Sequence, residues 1–126
     1  MTTLALEMAH KPRRRDEEAL QRSLAAYLTV AAPKTLWFAV PNGEARSKAT
    51  AGRLKAQGVR AGVADLCFVL RDGTAAFMEL KVNGNRQSAA QLVFEQRCIE
   101  AGVPYVVVTG FDQAVGVLKG WGVLKR

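Results

Sequence analysis

Residues 58–81 read GVRAGVADLCFVLRDGTAAFMELK. Two apolar runs, 66–70 and 75–80, flank Arg71, Asp72, Gly73 and Thr74. Apolar, β-branched and aromatic residues around an Asp-Gly pair predict a β-hairpin. Its charges are unusual: Asp65 opens the first strand, and Glu79 and Lys81 close the second.

Side chains alternate along a strand, so Glu79 and Lys81 share a face with Ala75 and Phe77. Register decides whether Asp65 joins them. A two-residue turn at Asp72-Gly73 would set Asp65 opposite Leu80, on the wrong face. A three-residue loop of Arg71, Asp72 and Gly73, with Gly73 left-handed, sets Asp65 directly opposite Glu79. The three-residue loop is the predicted one. Directly opposed residues hold their Cβ atoms about 5 Å apart, where like charges repel. A hard divalent cation such as Mg²⁺ between the two carboxylates removes that penalty, and Lys81 would lie beside it, able to hold a water or a phosphate oxygen. Seen alone, a Glu-x-Lys triplet at a strand end is an ordinary solvated ion pair, so the rest of the chain has to carry the argument.

The 126 residues suffice for one domain with one core, and 49% hydrophobic with 23% charged residues is ordinary for a soluble globular protein. No apolar run approaches the roughly 20 residues that span a bilayer. The first residues, MTTLALEMAHKPRRR, do not have the charge order or apolar core of a secretory signal. Cys67 and Cys98, the only two cysteines, together with His10 cannot make a four-ligand zinc site. The thiols read as reduced core residues of a cytoplasmic protein. A net charge of +7 points to a polyanionic partner. Between residues 45 and 64 lie Arg46, Lys48, Arg53, Lys55 and Arg60 with no acidic residue, and Arg13, Arg14 and Arg15 form a second cluster.

Taken in order, residues 1–12 are expected to form a flexible arm and 13–126 a single domain. A helix over about 14–32 carries an apolar stripe of Leu20, Leu24, Tyr27, Leu28 and Ala31. Asp16, Glu17 and Glu18 favour its first turn. Of these, Glu17 continues the stripe and points toward the sheet, whereas Glu18 aligns with the stripe's edge. A strand over 36–40 ends at Pro41-Asn42-Gly43. Residues 46–55 have no clear core face and read either as a short basic helix or as a loop reaching over DNA. Gly58 and Gly62 bracket Arg60 and give backbone freedom where chain and ligand approach. After the hairpin, Asn83-Gly84-Asn85 makes a turn. Ser88 with Gln91 is a capping-box pattern for a helix ending at Gly102, with Leu92, Cys98 and Ile99 on its core side. Gln91 thus has two possible tasks, closing the cap or touching the carboxylate cluster. A strand over 104–109, buried on both faces, and a helix over 111–118 complete the chain. Helix, strand, hairpin, helix, strand and helix make an α/β protein with one mixed sheet flanked by helices, and at least one parallel pair.

This ordered series resembles the PD-(D/E)XK nuclease superfamily and, more closely, the VRR-NUC family of virus-type replication-repair nucleases. The resembling residues are Glu17 with Gln21, Val40-Pro41-Asn42-Gly43, Arg53-Leu54-Lys55, Gly58-Val59-Arg60-Ala61-Gly62-Val63-Ala64-Asp65-Leu66, Glu79-Leu80-Lys81, Ser88 with Gln91, Gly102, and the strand that follows it. Ala64 stands where the family usually has proline before the aspartate. The resemblance implies a restriction-endonuclease-like fold with a mixed four-stranded sheet, in the order αβββαβ plus a short C-terminal helix. It implies Mg²⁺- or Mn²⁺-dependent hydrolysis of DNA phosphodiesters. Asp65 and Glu79 would ligate metal with Glu17 as an added acidic ligand, Lys81 would be the catalytic lysine, and Gln91 would lie near the site. Asn42, Arg46, Lys48, Arg53, Lys55 and Arg60 are the DNA-contacting candidates. Stand-alone members of this kind resemble Holliday junction resolvases, so branched DNA, a homodimer and a helicase or replication partner are the implied associations, in a bacterial or phage-infected cell. A non-catalytic nucleic-acid-binding module of the same fold, or a helicase-associated subunit, is the alternative.

Overall fold

The first helix, α1, spans Thr3–Ala31 and is followed by β1 (Leu36–Ala39), α2 (Lys48–Ala56), β2 (Leu66–Val69) and β3 (Ala75–Leu80). Helix α3 (Ala89–Ala101), β4 (Tyr105–Val108) and α4 (Phe111–Gly120) complete the order. The structure is a computed structural model that describes the backbone of residues 3–41 and 47–126, with side chains from Asp16 onward. Helix α1 therefore starts well before residue 14, where the apolar periodicity placed it, and its backbone runs through most of the expected arm. Of the basic stretch 46–55, which the sequence leaves open between helix and loop, Lys48 onward is helix α2, and Arg46 lies outside the described residues.

The sheet order is β1-β2-β3-β4, with β1/β2 and β2/β3 antiparallel and β3/β4 parallel. This is the mixed four-stranded sheet expected, and its parallel pair is joined through α3. The hairpin takes the three-residue loop. Leu70 N–H donates to the Thr74 carbonyl at 2.8 Å, and Gly73 N–H donates to the Leu70 carbonyl at 2.9 Å. Gly73 has φ +86°, a conformation that glycine adopts at little cost. The Asp72 carboxylate accepts the Thr74 N–H at 2.9 Å and stiffens the turn. Val69 consequently pairs with Ala75, Cys67 with Phe77 and Leu66 with Met78. The same register, carried one step further, puts Asp65 opposite Glu79.

Alternation then separates the two faces of the sheet. Leu66, Phe68, Ala76, Met78, Leu80 and Val108 are buried on one face against Leu20, Leu24 and Leu28 of α1 and Ala114 and Leu118 of α4. Phe68 is central: it stacks on Trp37 at 6.2 Å and meets Trp121 edge-on at 5.9 Å. The other face carries Cys67, Phe77, Glu79 and Tyr105 and is covered in part by α3. Phe94 of α3 meets Phe77 at 5.0 Å and Tyr105 at 6.0 Å. Cys67 and Cys98 are both buried free thiols, and burial raises both above the ordinary thiol pKa.

Three packing expectations need correction. The α1 stripe runs through Leu20, Leu24 and Leu28 and is continued by Ala32 just past the helix, while Tyr27 sits at the rim against Phe111 and Ala31 is exposed. A helix lying flat on a sheet buries one narrow line of residues, and the i+4 line wins here. In α3 the side chain buried is Cys98, whereas Leu92 and Ile99 are exposed, because the helix turns Gln91 and Phe94 toward the sheet. The edge strand β4 is fully buried only at Val108. Among the described residues no helix is long and apolar enough to cross a membrane.

The central place of Phe68 sets a stability prediction. Phe68→Ala should lower the unfolding free energy by about 3–5 kcal/mol in urea titrations, because a fully buried ring leaves a cavity between two tryptophans. Val30→Ala, at a position 81% exposed, should change it by less than about 0.5 kcal/mol.

Candidate active site

Asp65 precedes β2 and is half-buried. Its carbonyl accepts the Val40 N–H at 2.8 Å, which ties it to the end of β1. Its carboxylate accepts the Leu80 N–H at 2.8 Å, so the side chain reaches across to the strand that carries Glu79. Glu79 is only 1% exposed, the one charged residue in the otherwise apolar buried set among the described residues. Its Oε1 accepts a hydrogen bond from Gln91 Nε2 at 2.9 Å. Its Oε2 is enclosed with no donor in reach when the group is a carboxylate, and a proton held by Glu79 is shared with Asp65. Lys81 follows on the same strand face and is half-buried.

Gln91 performs both tasks that the sequence posed as alternatives. Ser88 N–H donates to Gln91 Oε1 at 2.8 Å, and Gln91 N–H donates to Ser88 Oγ at 3.2 Å, which completes the capping box of α3. Because Oε1 is committed to an N–H donor, Nε2 must be the atom offered to Glu79. The cap therefore fixes the polarity of the amide at the carboxylate.

Glu17 lies at the end of β3, where its Oε1 accepts the Asn85 side-chain amide at 2.8 Å and the Val82 N–H at 3.4 Å. Asp16 accepts the Asn83 amide beside it. Two asparagines that read in sequence only as turn residues thus anchor the first helix to the site; nothing short of tertiary contact signals that role. Among the described residues no three His, Cys, Asp or Glu side chains converge closely enough to hold a metal ion. Glu17 stands beside the Asp65–Glu79 pair and adds charge to it.

That charge is visible in the proton affinities. Burial, then the Asp65 carboxyl, and with them Glu17, push Glu79 up to about 9, and Lys81 opposes the shift without reversing it. Asp65 is also raised, chiefly by burial, with the Leu80 N–H pulling the other way. An enclosed carboxylate oxygen with no donor in reach, facing a second carboxyl, is a donor set suited to a hard divalent cation. Mg²⁺ commonly takes one or two protein carboxylates and fills its other positions with water and substrate oxygens. Two carboxylates fit that requirement.

A further polar group lies deeper on this face. Gln87 Nε2 donates to Glu95 at 2.7 Å and to the Tyr105 hydroxyl at 3.1 Å. Burial, followed by Glu79, raises the Tyr105 hydroxyl above its usual range. The basic residues are placed differently. Lys48, Arg53 and Lys55 lie exposed on α2, which buries none of its residues and is capped by Ser47 accepting the Thr50 N–H at 3.1 Å. Arg60 is exposed in the loop that leads to Asp65. Asn42 and Arg46 lie outside the described residues.

The element order and the mixed four-stranded sheet make a restriction-endonuclease-like fold, and on it opposed carboxyls, a lysine two residues beyond one of them and a glutamine from the covering helix lie together. The chain is similar in structure to a solved VRR_NUC domain protein, with a TM-score of 0.62 and 18% sequence identity over 83% of this chain and 86% of the other. It has the VRR-NUC fold. No protein-family model matches the chain, and no curated protein matches it by sequence.

The proton affinity of Glu79 has a testable sign. Between its ordinary value of 4.5 and about 9, the folded chain holds a proton that the unfolded chain has released. In chelator, stability should therefore fall as pH rises across that interval. Glu79→Gln removes this titration and should flatten the slope of thermal midpoint against pH; an unchanged slope would assign the proton elsewhere.

Proposed function

We propose that this chain is a metal-dependent deoxyribonuclease that hydrolyses phosphodiester bonds, acting selectively on branched DNA. The observation that carries the reading is the buried Asp65–Glu79 pair with Gln91 and Lys81 at its side, on a VRR-NUC fold. Asp65 and Glu79 would hold Mg²⁺ or Mn²⁺. The chemistry such an ion supplies when bound is neutralisation of phosphate charge and a more acidic water. Gln91 keeps the Glu79 carboxylate oriented, and Asp65 is held by the Leu80 N–H. Lys81 offers a positive charge to the attacking water or to a phosphate oxygen as negative charge develops there. Glu17, bonded to Val82 and Asn85, secures the end of β3 and raises the negative potential that attracts a cation.

Substrate binding is assigned to Lys48, Arg53, Lys55 and Arg60, which present cationic side chains to phosphates and carry little sequence information. Asn42 and Arg46 are proposed as further DNA contacts. Selectivity for junctions or flaps, a homodimer with paired sites and a helicase or replication partner are proposed from the family resemblance, and a cytoplasmic location from the two free thiols.

Labelled linear duplex, flap and four-way-junction DNA, each with Mg²⁺, Mn²⁺ or chelator, tests the reading. Cleavage should need the metal, and Glu79→Ala and Asp65→Asn should each lower it by at least about 100-fold, in line with losses from groups around metal sites. A folded chain that binds DNA with no cleavage in either metal would instead be a binding module. Replacing Lys48, Arg53 and Lys55 together by alanine should weaken binding to every substrate alike. The slope of log affinity against log salt should shrink by about 0.9 for each phosphate that these side chains neutralise.

A further inference from the structure

The chain that joins α2 to β2 makes one contact of unusual closeness. Gly62 has φ +80°, and a Cβ placed on it would lie 2.7 Å from the Gln91 backbone nitrogen. That Cβ would be closer still to the carbonyl carbon and oxygen of Ala90. All three atoms are backbone of the first turn of α3, so no side chain can swing aside. Gly58 provides the contrast: its φ is +99°, yet a Cβ there meets nothing within 4 Å. The two glycines share a left-handed backbone, and only Gly62 touches another element in this way.

The consequence follows the bonds outward. The first turn of α3 carries Gln91, whose amide is locked by the Ser88 cap and donates to Glu79. Glu79 faces Asp65 across the hairpin, and Val63 and Ala64 lead from Asp65 back to Gly62. Gly62, Gln91, Glu79 and Asp65 therefore form a closed circuit. Opening it at Gly62 moves the amide donor and one carboxylate apart. On the other side of Gly62, α2 ends with Gly58 N–H donating to the Lys55 carbonyl at 3.0 Å and Val59 N–H donating to the Leu54 carbonyl at 2.9 Å. The short run of Val59, Arg60 and Ala61 separates that basic helix from the contact.

We infer that Gly62 is a positioning residue: its backbone packs on the Ala90–Gln91 peptide and thereby sets the Gln91 amide against Glu79. The inference rests on the nuclease reading for its effect on rate, and on geometry alone for its effect on Gln91. Gly62→Ala and Gly58→Ala impose similar backbone strain, and only the first drives a side chain into α3.

Two readouts keep the layers distinct. In ¹⁵N-labelled protein, the Gln91 side-chain amide should show slow hydrogen exchange in the wild type and in Gly58→Ala. It should lose that protection in Gly62→Ala, while the Gln87 amide keeps its own. In single-turnover cleavage with saturating Mg²⁺, Gly62→Ala should lose rate on the order of 100-fold, the cost of displacing a site group by about 1 Å. Its affinity for duplex DNA in chelator should stay within about twofold of wild type, since no phosphate-binding cation is removed. Gly62→Ala combined with Gln91→Ala should be no slower than Gln91→Ala alone, because both act through one hydrogen bond.

An unperturbed Gln91 amide in Gly62→Ala, equal effects of the two glycine variants, or multiplying losses in the double variant would each overturn the positioning role. A wild type that cleaves nothing, with Gln91 still responding to Gly62, would leave the contact standing and remove the nuclease reading. If Gly62→Ala does not fold, one glycine inserted after Gly62 loosens the same contact without adding a Cβ, and the Gln91 amide should again lose its protection; an unchanged amide would overturn the positioning role.

Discussion

The register of β2 on β3 places Asp65 against Glu79, and the site is arranged around that opposition. Side chains alternate strictly along a strand, so a slip of one residue would send Glu79 into the aliphatic core and Met78 out of it. Two features prevent the slip. The turn at Arg71, Asp72 and Gly73 is closed by hydrogen bonds at Leu70 and Thr74, and the alternate residues Ala76, Met78 and Leu80 have a dry place to go. The hydrophobic pattern thus supplies the energy that holds two carboxylates in a position they would not choose. Their mutual repulsion and burial appear as a proton affinity at Glu79 far above that of an ordinary glutamate. Under the proposed function a cation would meet a pair whose cost of approach the fold has already met.

The two faces of the sheet divide the labour. Toward α1 and α4 the packing is aliphatic and aromatic, built from Leu24, Leu28, Phe68, Met78 and Leu118. Toward α3 it is mixed: Phe94 provides ring contacts, and Gln91 provides a donor for Glu79. An entirely apolar helix face over Glu79 would strip both of its oxygens of partners, and a buried acceptor without a donor is costly. The polar residues on the inner side of α3 therefore have a structural reason to be there. This explains why Leu92 and Ile99 point outward despite their hydrophobicity.

Helix α2 belongs to neither layer. It buries no residue, and it is fixed by its cap at Ser47 and by the chain that reaches Gly62. An element held by its ends, with few buried apolar contacts, opens more easily than the core does. Its Lys48, Arg53 and Lys55 are all exposed, so the helix presents its charge to solvent.

Much of this protein is set locally and can be read in the chain. The Asp-Gly turn, the alternation of 75–80 and the Ser88–Gln91 box each depend on neighbours in sequence, so the hairpin, the opposition of Asp65 and Glu79, and the start of α3 were legible. Which line of α1 and which side of α3 would be buried was not, because Tyr27, Leu92 and Ile99 are as apolar as the residues that displaced them. The same limit hid the partners of Glu17: Asn85 reaches it across 68 positions, and no local signal marks that meeting. Tertiary structure also joined the two tasks of Gln91 and pressed Gly62 against Ala90, since both need α3 laid over the sheet. The strands, their register and the charges they carry follow from patterns local to the chain. Only the packed structure decided which polar groups close around Glu79, because that depends on distances between elements far apart in the chain.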